Sequence, residues 1–210
     1  MKKTQAISSP QLNNLSPGAF FLDDEEIYQN HLFQDSDQSY LTCHNLVLRQ
    51  CQLEKVTLVK NRLERFEASN VLFDKCDLAN TELLGGSFHQ VTFRHCKLTG
   101  TNFAESYLRD VIFEDCLLDY ASFANTNLKS IAFSNCRLRE AEFYELTWKN
   151  LQLKQNDLHG TNWLHTSLAG LDFTTNTFEK IGLSAEQLKG LTVDPAQALV
   201  IGASLGLVIA

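Results

Sequence analysis

Between Leu48 and Leu183 every fifth residue is apolar, without exception. A period of five matches neither the 3.6-residue repeat of an amphipathic helix nor the two-residue alternation of a half-buried strand. A chain that turns one side chain inward every five residues has to bend at each unit and wind around an axis. Such a chain builds a solenoid, in which each turn packs only on its neighbours and a single core runs the whole length.

A second period gives the size of one turn. Cys76, Cys96, Cys116 and Cys136 are spaced by 20, as are Val71, Val91, Val111, Ile131, Leu151 and Leu171. Phe73, Phe93, Phe113, Phe133, Leu153 and Phe173 follow the same spacing, and so do Leu78, Leu98, Leu118, Leu138 and Leu158. One coil is therefore four five-residue units, which makes the solenoid four-sided. The periodic stretch holds about seven coils, a shaft of about 34 Å at roughly 4.8 Å per coil. Large residues, Trp148 and Trp163 among them, occupy the central inward slot. Small or β-branched residues occupy the slot two before it, and this alternation is what fills a narrow core. Two residues after the centre, Asn and Gly recur (Asn70, Asn80, Gly85, Gly100, Asn125), types that accept tight-turn dihedrals. The prolines are Pro10, Pro17 and Pro195, so every residue from 18 to 194 has an amide to give to a ladder.

Units such as Cys76-Asp77-Leu78, Thr101-Asn102-Phe103, Thr126-Asn127-Leu128, Asn156-Asp157-Leu158 and Thr161-Asn162-Trp163 follow the pattern A-(D/N)-L-x-x. In these the chain resembles the pentapeptide-repeat proteins. The resemblance implies an all-β solenoid, specifically a right-handed quadrilateral β-helix, here with short C-terminal helices. Within that family it is similar to the Qnr-type quinolone-resistance proteins of Gram-positive bacteria. The segments that carry this likeness are Gly86-Ser87-Phe88-His89-Gln90-Val91-Thr92-Phe93, then Gly100 to Leu108, and the tail.

Three regions follow. Residues 1–40 fall outside the period and read as an N-terminal arm and cap: Thr4 to Pro17 as a flexible arm, and Asp23-Asp24-Glu25-Glu26 as the opening of a short helix. Residues 41–183 are the repeat. Residues 184–210 read as a helical cap and dimerisation segment. Ser184-Ala185-Glu186-Gln187 has the form of a capping box, and Asp194-Pro195 sets a cap residue before a proline suited to the first helical position. Beyond the helix, Leu199, Ile201, Leu205, Leu207, Val208 and Ile209 form an apolar tail fit for a self-complementary contact, and the resemblance likewise implies a homodimer through the C-terminal end.

The net charge is −7, which argues against a nucleic-acid binder held by a basic patch, and no direct nucleic-acid binding is expected. Met1-Lys2-Lys3 is followed by no apolar core, and Ala198–Ala210 is too short to span a bilayer, so a cytoplasmic protein with reduced cysteines and no membrane partner is expected. The evenly spaced cysteines read as small core fillers, because stacked parallel side chains offer no tetrahedral ligand set. The six histidines form no H-E-x-x-H or His-Cys cluster, and no phosphate loop or nucleophile elbow is present. Neither a catalytic residue, a metal nor a cofactor is expected. The remaining feature is acidic: Glu105, Asp110, Glu114, Asp115 and Asp119 fall within one coil, with Glu140, Glu142 and Glu145 on the next. The resemblance implies that such a protein binds type II topoisomerases, DNA gyrase and topoisomerase IV, by imitating duplex DNA or by expelling the quinolone. Members with loops interrupting the repeat depend on them. The unbroken register here shifts weight to the shaft surface, and those eight acids become the candidate contacts. The competing reading is a rigid scaffold for an unrelated protein partner.

Overall fold

The structure, a computed structural model, describes residues 6–209. Six strands of equal length, Val47–Glu54, Glu67–Asp74, Ser87–Arg94, Tyr107–Glu114, Asn127–Ser134 and Thr147–Lys154, stack in parallel. Each pairs with the next at a shift of 20 residues, so Phe93 lies opposite Phe73 and Phe113. Single bridges such as Asp77–Lys97 and Glu82–Asn102 repeat the same shift on the other two sides. The result is a parallel four-sided β-solenoid of about eight turns, about 38 Å of shaft at roughly 4.8 Å each.

Each long strand bends in its middle, at residues 50, 70, 90, 110, 130 and 150, where φ lies between 50° and 59°. It therefore supplies two faces. Counting in one coil, face A is residues 86–90, face B 91–95, face C 96–100 and face D 101–105, and every coil repeats them. All corners from residue 45 to 170 have positive φ. Asn and Gly suit this conformation, but Lys75, Glu105, Tyr120 and His165 adopt it as well. The hydrogen-bonded coils above and below over-determine the turn and override the side chain's preference.

The core explains the residue types. On face B, Phe73, Phe93, Phe113 and Phe133 stack with centroids 4.7–5.1 Å apart and planes within 10°. On face D, Phe103, Phe123, Phe143 and Trp163 form a second column at 4.2–5.3 Å. The two columns meet edge to face across the axis, at interplanar angles of 80–89°. Trp148 alone among the period-five positions is partly exposed, its indole N–H donating to the Ser167 carbonyl at 2.6 Å.

The second inward slot has a stricter logic than size. At most positions where it holds Cys, Ser or Thr rather than an aliphatic residue such as Val91 or Ala121, the side chain donates to the carbonyl of the central residue 23 positions back, one coil earlier. Cys76, Cys96, Cys116 and Cys136 reach Leu53, Phe73, Phe93 and Phe113 at 3.3–3.4 Å. Thr101, Ser106 and Thr126 reach Leu78, Leu83 and Phe103 at 2.8–3.0 Å. The slot thus selects small donors, and cysteine serves as a weak one.

The ends differ from the expectations. Instead of opening a helix, residues 27–29 and 31–34 are strands, paired in the 20-residue register with 47–49 and 52–54. The winding therefore starts upstream of residue 41. Phe20 and Leu22 close the end of the core, Phe20 packing on Tyr28 and Phe33 at 5.6 and 4.9 Å. Gln11 donates its amide to Asn70, and Ser9, Pro10 and Leu12 lie over Leu72, Thr92 and Ile112 on face B. Thr4 and Gln5 of the expected arm lie outside the described residues. At the other end, Ser184 makes no cap: its hydroxyl accepts instead from the His165 amide, and Ala185–Gln187 is a single 3-10 turn. One true α-helix forms, Pro195–Ser204. Asp194 accepts from the Gln197 amide at 2.8 Å, and the Gln197 side chain accepts from the Asp194 amide at 3.1 Å. Gly206, at φ 91°, ends the helix, with the Leu207 amide returning to the Gly202 carbonyl.

Candidate interaction surfaces

The eight candidate acids do not converge on one face. Glu105 and Glu145 stand at the corner between faces D and A, and Glu142 stands on face D. Glu140 is at the corner between C and D, Asp110 at that between A and B, and Asp115 at that between B and C. Glu114 is on face B and Asp119 on face C. They ring the shaft, as a belt should, but Asp110, Asp115, Asp119 and Glu142 are already partnered, Glu142 accepting from the Asn162 side-chain amide at 2.7 Å.

Asp119 is 7% exposed and is held by the guanidinium of Arg137 and the amide of Arg139. Arg139 itself reaches the next coil, to Asp157 at 2.6 Å, rather than capping Asp119 with its side chain. Asp110 lies 3.5 Å from Arg109, and Asp115 accepts from Asn135 and faces His95 at 3.7 Å. On face B the Asp74–Arg94 pair is bidentate, at 3.0 and 3.2 Å, and these hydrogen bonds hold the Asp74 carboxyl below the usual carboxylate range. Faces B and C are thus laced by pairs one coil apart, Lys97–Asp77 at 3.1 Å included.

Face D is different. Leu84, Ala104, Ala124, Tyr144 and Leu164 follow one another in an outward file, with Leu84 49% and Leu164 37% exposed. Glu82 and Glu142 flank the file on one side, and Glu105 and Glu145 on the other. An apolar line bordered by carboxylates is the composition of a protein-binding surface rather than of a solvated one. Glu105, Glu142 and Glu145 of the eight candidates belong here. The apolar file itself was missed in the sequence, although its 20-residue spacing was there to be read.

The C-terminal patch comprises Leu199, Leu205, Leu207, Val208 and Ile209, all exposed, Val208 at 95%. Ile201 does not belong to it. At 7% exposed it is buried on its own shaft, because the helix turns that side toward the last coil.

No chemistry gathers elsewhere. The six cysteines are free thiols; burial pushes the Cys43 thiol up to about 11 and raises that of Cys96 as well, so neither is a nucleophile at neutral pH. Among the described residues no group of three or more His, Cys, Asp or Glu is placed to hold a metal ion, and no helix is long and apolar enough to cross a membrane.

Residues 86–163 match the family model described as a pentapeptide repeat region. Among solved structures the chain is similar to trypsin-treated QnrB1, described as a plasmid-mediated fluoroquinolone resistance protein. Identity is 15% over 91% of this chain and 98% of that one, with a TM-score of 0.38. Full-length QnrB1 gives 15% identity over 90% and 100%, at 0.36. HetL, a pentapeptide repeat protein involved in heterocyst differentiation regulation from the cyanobacterium Nostoc, gives 13% over 80% and 87%, at 0.26. No curated protein matches the sequence.

Proposed function

We propose, on the premise of the pentapeptide repeat region that residues 86–163 match, that this chain is a non-enzymatic, DNA-mimic-like protein of the cytoplasm that binds DNA gyrase and topoisomerase IV and protects them from quinolones. The observation that carries this reading is face D. The solenoid's core is filled by side chains, and its face D presents an apolar file between carboxylates spaced along the axis. Type II topoisomerases hold duplex DNA on cationic surfaces, and a rod edged with carboxylates offers them a comparable charge at low conformational cost.

Of the eight acids, this reading puts Glu105, Glu142 and Glu145 first. They edge the apolar file, whereas Asp119 is committed to Arg137 and to its own fold. Gyrase supercoiling in the presence of ciprofloxacin tests both points. The protein should restore supercoiling, and the variant Glu105→Gln/Glu142→Gln/Glu145→Gln should need about tenfold more protein for the same rescue, a loss of about 1.4 kcal/mol of binding. A variant changed at Asp110, Glu114 and Asp115 should stay within about twofold. Absence of rescue at any concentration would sink the reading in favour of a scaffold with another protein partner.

A further inference from the structure

Net charge averages over faces that differ in sign. On face A the outward position after the central residue reads Arg49, Ser69, His89, Arg109, Lys129 and Lys149, each in register with the next. Four permanent cations and a histidine therefore stand in one straight file, about 24 Å long at roughly 4.8 Å per coil. Like charges on paired strands repel. Elsewhere the protein avoids this: on faces B and C a cation is met by an acid one coil away, as in Asp74–Arg94, Asp77–Lys97 and Arg139–Asp157. Glu67 stands in the neighbouring outward slot of face A, Glu105 and Glu145 border it at the corner, and Asp110 lies 3.5 Å from Arg109, yet among the described residues no ion pair engages Arg49, Lys129 or Lys149. The fold does not need this file, so its cost points to a ligand.

The neighbouring side chains say which kind. Ser87, Gln90, Tyr107, Asn127 and Thr147 flank the cations, and all but the half-buried Gln90 are exposed. Hydroxyls, amides and a phenol around lysines and arginines are the set that contacts phosphate oxygens and sugars. A protein partner would ask for an apolar centre, which face A lacks and face D has. A second copy of this chain would need one acid per coil, whereas the acids that flank the face D file, Glu82, Glu105, Glu142 and Glu145, leave the coil of Ala124 without one.

We propose that face A is a track for the phosphodiester backbone of a nucleic-acid strand, read without regard to base sequence. The inference stands apart from topoisomerase binding, and its test contains no topoisomerase. Fluorescence anisotropy of a labelled oligothymidine of about 12 nucleotides, titrated with the full chain at about 50 mM salt, should show saturable binding. Affinity should fall linearly on a log–log plot against salt, by about 0.7 per phosphate neutralised. Arg109→Gln/Lys129→Gln/Lys149→Gln should weaken binding at least tenfold and flatten the slope by about 2. A control with the same charge loss on the other faces, Arg62→Gln/Lys97→Gln/Arg139→Gln, should bind within about threefold of the parent. Because the face A changes relieve repulsion, that variant should melt no lower than the parent, which separates lost binding from lost fold. Equal weakening by both triple variants, no binding at low salt, or equally effective competition by polyglutamate would each overturn the proposal, the last in favour of an acidic protein.

Discussion

At the scale of single residues, the second inward slot is decided by hydrogen bonding as much as by volume. Asn156 shows how tightly. Its amide donates to the Phe133 carbonyl at 3.0 Å and to Asn176 at 2.9 Å, while its oxygen accepts from the Cys136 amide at 2.9 Å. The cysteines one, two and three coils earlier make only the first kind of bond. Replacing Asn156 with cysteine would extend the cysteine file and keep a donor to Phe133, but it strands the Cys136 N–H. A cost of about 1–2 kcal/mol is expected. Asn156→Leu removes both functions inside a dry core and should cost about 2–4 kcal/mol. Urea unfolding of the two variants checks the order; equal losses would show that the slot responds to volume alone. The cysteine column, its small size and its place in the coil were legible from the 20-residue spacing. The bond to the residue 23 positions back was not, because only the stacked backbone brings that carbonyl within reach.

At the scale of elements, pairs and caps act between coils. Asp74 and Arg94 join neighbouring strands, and Asp74 is nearly buried. Its carboxyl titrates lower in the folded chain than in the unfolded one, where a value of about 3.9 applies. The stabilisation it gives is therefore complete above about pH 4 and is lost as pH falls through the folded value. Asp74→Asn should lower stability by about 1–2 kcal/mol at pH 7, and its thermal midpoint should fall less steeply than the parent's between pH 4 and pH 2. An identical acid slope in both would refute the assignment. The terminal helix is anchored by one side chain: Gln197 donates to the Phe173 and Asn176 carbonyls at 2.8 and 2.7 Å while it completes the cap on Asp194. Gln197→Leu should cost about 2–4 kcal/mol and speed amide exchange in residues 195–205 and in the last coil, with the coils before residue 150 unaffected. Asp194-Pro195 revealed this helix from sequence because capping is local chemistry. Ser184 failed as a cap because its hydroxyl was claimed by a neighbouring coil, and Asp23–Glu26 failed as a helix start because strand pairing with residues 47–54 overrode a weak local signal.

At the scale of the whole molecule, the period from Leu48 to Leu183 dictated the shaft, and its surface was legible only in part. The acidic belt was found by counting along the chain, which gathers residues of one coil and so scatters them over four faces. Residues that share a face are 20 apart, as in the Leu84 to Leu164 file and the Arg49 to Lys149 file, and they emerge only when the sequence is folded at that spacing. The two ends are unlike each other in the same way. Phe20 and Leu22 plug the first, whereas the second leaves Leu199 on the capped helix and Leu207 and Val208 just beyond it at 55%, 66% and 95% exposure. A fixed apolar patch at the tip of a rod is best covered by the same patch on another copy, related by a two-fold axis, since a self-complementary contact closes without growing into fibres. Two shafts so joined would span about 75 Å, close to 22 base pairs of duplex at about 3.4 Å each. Sedimentation should then give twice the 23.7 kDa of one chain. Leu199→Asp/Val208→Asp, both outside the core, should give a monomer with an unchanged thermal midpoint at high protein dilution. Ile201→Asp should behave otherwise: it places a charge against the last coil, so it should lower the midpoint even in the monomer. A dimer that survives the Leu199/Val208 pair would move the contact away from the C-terminal tip.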